Sequence, residues 1–288
     1  MNIKRAPISW FGGKFYIVQN IISMFPQHTC YVEPFGGAGH VLFAKDPSKV
    51  EVFNDLQEWL VNLYRMIRER PQELLDRLEM LPYSRSEYKR AVELYQLSLH
   101  DKKDSVTDPV EKAALFFMLV KQAFNSTVGG TWAYSSMSSK GSAWRNAMDL
   151  IMPCHQRLRD VIIECLGYEK LFEKWDGPDT LFYLDPPYVH ITRDVSSTKA
   201  YEFEMSDTDH SNLCWECSEL KGMVIMSGYH NDIYDSILVD ELGWGYKEIE
   251  VNAFSSYKPD VSEKPKRIEV LYWNERVESQ TSQMTLSL

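Results

Sequence analysis

The chain has 288 residues, 44% of them hydrophobic and 13% aromatic, enough to bury a large core. No run of about 18 apolar residues occurs, which argues against a helical membrane span, and the opening Met1-Asn2-Ile3-Lys4-Arg5-Ala6-Pro7 does not read as a secretion signal. The net charge of −10 speaks against a nucleic-acid partner until its distribution is counted: residues 161–288 carry eleven basic against twenty-four acidic residues, whereas 1–56 and 57–160 are slightly basic.

Ile8-Ser9-Trp10-Phe11-Gly12-Gly13-Lys14 places a glycine turn before an apolar helix predicted over Phe15 to Met24. Lys14 is set to pair with a carboxylate there, and Trp10 to cover an aromatic ring; an ordinary turn with a core tryptophan is the plainer reading. Cys30-Tyr31-Val32-Glu33-Pro34-Phe35-Gly36-Gly37-Ala38-Gly39-His40 then reads as strand, glycine turn, helix, the opening of a Rossmann-like unit. The strand Val50–Phe53 ends at Asn54-Asp55, where an acid is placed to accept the two hydroxyls of an adenosine ribose. Leu42 stands where the full dinucleotide pattern has its last glycine, which favours an adenosine cofactor without a pyrophosphate, such as S-adenosylmethionine.

Residues 57–160 change character. Helical spacing predicts helices over Glu58–Leu81, Ser86–Leu99 and Val110–Phe124, with a charged loop from His100 to Pro109. Asn125 to Tyr134, with two glycines and two aromatics, reads as an exposed hairpin or loop. The stretch is expected to be a helical insertion carrying a contact loop. Lys121, Gln122, Asn125, Lys140 and Arg145 are its candidates for phosphate or base-edge contacts, against the alternative of solvated surface residues.

Val161–Ile163 resumes strand character, and Tyr168 to Lys174 is a short helix. Thr180-Leu181-Phe182-Tyr183-Leu184 is an apolar strand with no helical period, and Asp185-Pro186-Pro187-Tyr188 follows. Two prolines forbid the ladder from continuing, so a carboxylate is held at a strand's carboxyl end, the edge where open α/β sheets bind ligands. That cluster suits an exocyclic amine. A carboxylate and a proline carbonyl accept from the NH2 group, draw the nitrogen towards tetrahedral geometry and free its lone pair, while Tyr188 stacks on the base. A Pro-Pro turn with a capping aspartate is the plain alternative. Val189 to Asp209, with Thr192, Arg193, Tyr201 and Glu204, is expected to be a lid over the base or a surface loop. Ser206-Asp207 caps a helix to about Leu220, Gly222–Tyr229 is a buried strand with a polar end, and Glu248–Phe254 with Arg267–Asn274 forms a closing hairpin. The five cysteines, an odd number, suit a reducing cytoplasm, and Cys214 and Cys217 read as buried thiols rather than zinc ligands.

Trp10-Phe11-Gly12-Gly13-Lys14, Glu33 to Gly39, Asn54-Asp55 and Asp185-Pro186-Pro187-Tyr188, followed by Ser227-Gly228-Tyr229 and Arg267 to Leu271, stand in the order that resembles Dam-like DNA adenine-N6 methyltransferases. The resemblance implies an α/β fold, a Rossmann-like seven-stranded methyltransferase sheet with an inserted helical target-recognition domain. The catalytic domain would comprise 1–56 and 161–288, the insertion 57–160, and a tail 279–288. It implies S-adenosylmethionine as cofactor, held by Trp10, Lys14, Phe35, Gly36, Gly39 and Asp55 together with Asp185. It implies Asp185, Pro186, Pro187 and Tyr188 as the catalytic set acting on a flipped adenine in double-stranded DNA, with no metal. The departure lies in recognition. Where enterobacterial GATC enzymes carry Asn-Arg-Tyr-Gly-Tyr-Asn-Gly, this chain has Val120-Lys121-Gln122-Ala123-Phe124-Asn125-Ser126, so the recognition sequence stays open. Alternatives are an RNA adenine methyltransferase and a catalytically silent DNA-binding relative. The tail Gln283-Met284-Thr285-Leu286-Ser287-Leu288 resembles a bacterial sliding-clamp-binding peptide, or is a frayed end.

Overall fold

The computed structural model describes residues 5–10, 13–101, 105–189, 204–252 and 266–278. Phe11, Gly12, Thr192, Arg193, Tyr201, most of the loop between the last two strands, and the tail peptide Gln283–Leu288 lie outside the described residues. Among the described residues seven strands form one mixed sheet: β1 (Cys30–Glu33), β2 (Val50–Asn54), β3 (Val161–Glu164), β4 (Thr180–Leu184), β5 (Met223–Gly228), β6 (Gly245–Asn252) and β7 (Lys266–Trp273). Their order is β3-β2-β1-β4-β5-β7-β6. With flanking helices this is the expected α/β, Rossmann-like architecture.

β4 is central, parallel to β1 on one side and to β5 on the other, and all five of its residues are buried. A strand covered on both faces needs a continuous apolar run rather than alternation, which Thr180–Leu184 supplies. β7 runs antiparallel to both β5 and β6. Its early residues therefore lie at the same end of the sheet as the last residues of β5. Leu184 pairs with Met226, so Asp185 leaves the sheet beside Ser227; Gly228 pairs with Val270, so Glu269 arrives at that end too.

The chain divides into two compact units: Met1–Gly13, Gly36–Asp46 and Phe53–Cys165 in one, and Lys14–Phe35, Pro47–Val52 and Leu166–Leu288 in the other. The helix predicted over Phe15–Met24 is shorter, α1 (Val18–Ile22), with Phe15 and Tyr16 exposed, and α2 (His40–Ala44) follows the glycine turn.

In the first unit the single helix predicted over Glu58–Leu81 is two, α3 (Glu58–Glu69) and α4 (Pro71–Glu79). Pro71 lacks an N–H and pushes Arg70 out of helical geometry, to φ −136°, so the first helix stops there. The Gln57 side chain caps α3 by accepting from the Trp59 and Leu60 amides. α5 (Arg85–Asp101) and α6 (Pro109–Lys121) follow, the latter started by Asp108, whose side chain accepts from the Glu111 amide at 2.8 Å. Every residue from Lys112 to Val120 in α6 is buried, which marks it as the central helix, packed against α3, α4 and α5. After it a 3-10 turn, Phe124–Ser126, and an antiparallel bridge between Ala123 and Trp132 shape the contact loop. α7 (Lys140–Met148) and α8 (Ile151–Leu158) complete this unit's helices.

In the second unit α9 (Tyr168–Trp175) and α10 (Asp207–Ser218) flank the sheet, α10 opened by a reciprocal cap between Ser206 and Asp209. A helical stretch that periodicity did not announce, α11 (Asp232–Tyr234), runs on as a wider π turn to Glu241. Phe182, Leu184, Val224, Met226, Val270 and Tyr272 of the strands pack against Leu213, Cys214, Cys217, Tyr234 and Leu238. Cys214 and Cys217 are free, buried thiols in that core. No described helix is long and apolar enough to cross a membrane.

Candidate active site

The second unit gathers Lys14, Asp185, Tyr188, Ser227 and Glu269 at the carboxyl ends of β4 and β5. Lys14 Nζ donates to Asp185 Oδ1 at 2.6 Å and to the Tyr188 hydroxyl at 2.6 Å. The Ser227 hydroxyl donates to the same Asp185 Oδ1 at 3.0 Å, with the Tyr183 hydroxyl 3.1 Å behind it. Among the described residues, both donors meet Oδ1, and Oδ2 has none. The carboxylate is thus fixed through one oxygen while the other keeps its acceptor capacity. Its side chain is 21% exposed, against 4% for Lys14. Pro186 is buried, and Pro187 and Tyr188 are half-buried.

An ammonium buried as deeply as that of Lys14 would ordinarily shed its proton. Burial pulls in that direction, but the Asp185 carboxylate at 2.6 Å and Glu269 at 4.0 Å override it and hold Lys14 above the ordinary lysine range. Glu269, on β7, accepts from the Tyr188 hydroxyl at 3.1 Å and 3.2 Å through its two oxygens. The Tyr188 ring packs on Tyr229 with centroids 4.6 Å apart.

The first unit holds the glycine turn and the acid after β2. Gly36 N donates to the Asn54 carbonyl at 2.8 Å, and a Cβ on Gly36 would lie 2.3 Å from the Phe53 ring. Gly37 and Gly39 have φ of +49° and +66°, a region that side chains resist. A Cβ on Gly37 would also meet the half-buried Trp10 ring at 2.9 Å. Asp55 stiffens the turn: its Oδ2 accepts from Gly37 N at 2.8 Å and its Oδ1 from Gln57 N at 2.8 Å. Burial pushes the Asp55 carboxyl up, and these backbone N–H groups oppose it. A carboxylate offers about four acceptor sites, so capacity remains for hydroxyl donors, which suits a ribose. Phe35, of the other unit, is half-buried with its ring 5.8 Å from Tyr168.

The expected recognition residues divide. Arg145 is exposed on α7, and Lys140 is half-buried at its start. Lys121 is half-buried at the end of α6, where burial and then the Arg5 charge lower its pKa. Asn125 lies in the 3-10 turn. Gln122, expected on the surface, is fully buried: its amide donates to the Pro82 carbonyl at 3.2 Å and accepts from the Trp132 indole at 3.2 Å. In this conformation it ties the contact loop to the helices instead of facing outward. The loop instead exposes Phe124 and Tyr134, with the Arg85 guanidinium 5.0 Å and 5.7 Å from the Trp132 and Tyr134 rings.

Sequence alone assigns no separate role to Glu269. A lone acid in the apolar run Ile268-Glu269-Val270-Leu271 is the available signal, since an acid that such a strand buries requires a partner. Ser227 carried a weaker one as the polar end of an otherwise apolar strand.

Comparison with known proteins accords with this geometry. Residues 10–257 match the model of the D12 class N6 adenine-specific DNA methyltransferase family. A DNA adenine methylase of Salmonella typhi is 25% identical over 219 residues, covering 74% of this chain and 75% of that protein. A DNA adenine methylase of Haemophilus influenzae is 22% identical over 281 residues, covering 94% of each. A type II methyltransferase of Lactococcus lactis subsp. cremoris is 25% identical over 234 residues, covering 77% of this chain and 80% of that one. The chain belongs to the D12 class N6 adenine-specific DNA methyltransferases, enzymes that methylate adenine in DNA.

Proposed function

We propose that the methyl donor is S-adenosylmethionine and that the acceptor is an adenine extruded from duplex DNA. When bound, that donor supplies an electrophilic methyl on a sulfonium. The turn of Gly36, Gly37 and Gly39, with Trp10, Phe35 and Asp55, holds it, Asp55 accepting from the ribose hydroxyls. Asp185 and the Pro186 carbonyl accept from the adenine amine, and Tyr188 stacks on the base. Extrusion costs a few kcal/mol of unstacking. Transfer is direct, and the protein contributes alignment and a negative charge beside the nitrogen on which positive charge develops. Lys121, Asn125, Lys140 and Arg145 serve the DNA backbone or base edges, with Gln122 positioning their loop. The enzyme works in a reducing cytoplasm.

The observation that carries this reading is the carboxylate of Asp185, fixed through Oδ1 by Lys14 and Ser227 with Oδ2 left to accept. The test is transfer of tritium from labelled S-adenosylmethionine to duplex DNA, RNA and protein, with digestion and identification of the methylated base. N6-methyladenine in DNA is the expected product; label only in RNA or protein, or none, overturns the reading. The clamp-like tail is carried by sequence alone: capture of the bacterial clamp by the intact protein, lost on deleting Gln283–Leu288, would support that contact, and no capture would end it.

A further inference from the structure

Tyr188 is a two-ended tether. Its hydroxyl accepts from Lys14 and donates to Glu269, so both of its hydrogen-bonding roles are filled by charged side chains. Hydrogen bonds to ionised groups are the strong kind, and two of them on one hydroxyl pin the far end of the ring in place. Glu269 is the far anchor. It is 7% exposed, and it reaches this end of the sheet only because β7 runs antiparallel to β5. The Tyr229 ring backs Tyr188, with centroids 4.6 Å apart. One carboxylate therefore holds the ring proposed to receive the base. The carboxylate stands 4.0 Å from Lys14 as well, which places that ammonium between two carboxylates. None of these contacts is needed to build the sheet, whose pairing is made by backbone groups.

We propose that Glu269 is a positioning residue for methyl transfer, acting through the Tyr188 hydroxyl to hold the ring that stacks on the target base. This rests on the reading of Tyr188 as the stacking residue. Without the carboxylate the ring loses its anchor on one side, and Lys14 can swing wholly to Asp185. The orientation of the base is then lost in part, although donor binding is not.

The experiment is a double-mutant cycle with E269Q, Y188F and the pair, measured as single-turnover transfer to duplex DNA at saturating donor. E269Q keeps the volume and one acceptor oxygen and removes the charge. The expected result is a loss of about tenfold or more in E269Q, with donor affinity within about twofold of wild type, and a further loss below about threefold when E269Q is added to Y188F. DNA carrying 2-aminopurine at the target position supplies a readout that a purely structural role would not move. At equal enzyme–DNA occupancy, the fluorescence of the extruded base should rise in E269Q as its stacking on Tyr188 loosens, with the thermal midpoint little changed. Wild-type transfer in E269Q, or an equal loss in the wild-type and Y188F backgrounds, would overturn the proposal. Asp185→Ala and Tyr188→Ala are run beside them. If both are inactive while E269Q is unimpaired, only the role of Glu269 fails; if both retain full transfer, the reading of the site itself fails.

Discussion

Lys14 and Asp185 stand 171 positions apart in the chain and meet at 2.6 Å. One follows a glycine turn near the start, and the other ends the central strand. Their contact requires the parallel sheet around β4 to be in place, so the charge arrangement of the site is a product of folding and not of any local motif.

Asp185 is the group whose loss should be most costly. Asp185→Asn keeps the size of the side chain but brings an NH2 towards another NH2 and removes the charge beside Lys14. Single-turnover transfer should fall at least about a hundredfold, in line with the loss of a key electrostatic group. Asp185→Ala should abolish it. Donor binding, followed by calorimetry, should persist in part in both; unimpaired transfer in either would remove Asp185 from the chemistry.

Removing the buried cation should be felt as stability. Lys14→Met leaves Asp185 and Glu269 facing each other with no cation between them, and breaking a buried pair costs about 3–5 kcal/mol. Urea unfolding would measure it. The pH dependence has a definite sign. The folded-state pKa of Lys14 lies above its unfolded value, so its contribution is complete below the ordinary lysine range and flat across neutral pH. In the variant Glu269, already raised by burial, loses the cation that opposed the rise, so its protonation relieves the repulsion and the deficit should shrink on going from about pH 8 to about pH 5.

Stability and turnover should respond oppositely to mild acid. Burial raises the Glu269 carboxyl, Lys14 opposes, Asp185 adds to the rise, and hydrogen bonds from Tyr229 and Tyr188 oppose again, leaving it above the ordinary glutamate value. A carboxyl with a raised folded pKa contributes stability that is fully present below its unfolded pKa and lost as pH rises through its folded pKa. Transfer, in contrast, should need the ionised form that anchors Tyr188. Lowering the pH through the titration of Glu269 should strengthen the fold and slow methylation; in Glu269→Gln the Glu269 part of both changes should vanish. Parallel denaturation and single-turnover series would show it.

Gly36→Ala should lose both donor affinity and stability. The new methyl would sit 2.3 Å from the Phe53 ring and 2.8 Å from the Asn54 carbonyl, the partner of the Gly36 amide. Overpacking of this kind costs about 1–3 kcal/mol. A variant with wild-type melting and donor affinity would show that the turn has slack.

In the contact loop, exposed and buried positions should behave differently. Arg145→Ala should weaken DNA binding to a similar degree for all sequences and reduce the salt slope by about 0.9 if it meets a phosphate. Gln122→Leu should leave that slope alone and lower stability by about 1–3 kcal/mol, because the Trp132 indole and the Pro82 carbonyl lose their partner.

The parts of the fold that were legible in sequence are those where one strong signal dominates. Thr180–Leu184 could only be a buried strand, and the two prolines after it fixed its end. The cap Ser206–Asp209 announced α10. Other features turned on a contest that the sequence does not decide. Pro71 divided a continuous apolar face because the geometry of the residue before it outweighs periodicity. The stretch Asp232–Glu241 is too short, and its turn too wide, to show a regular period. Gln122 is polar on paper but is claimed by an indole that folds back over it, and no spacing rule reveals which side of a loop a residue will face. Glu269 was obscured in the same way, as one acid in a strand that could equally have pointed to water.

The closing hairpin looks like ordinary edge protection, yet it delivers the Glu269 carboxyl to the end of the sheet where Asp185 emerges. Side chains alternate between faces along a strand, so shifting β7 by a single residue would carry Glu269 to the opposite face and put Ile268 or Val270 in its place. On the proposed role of Glu269, the register of β7 against β5 is therefore under catalytic constraint.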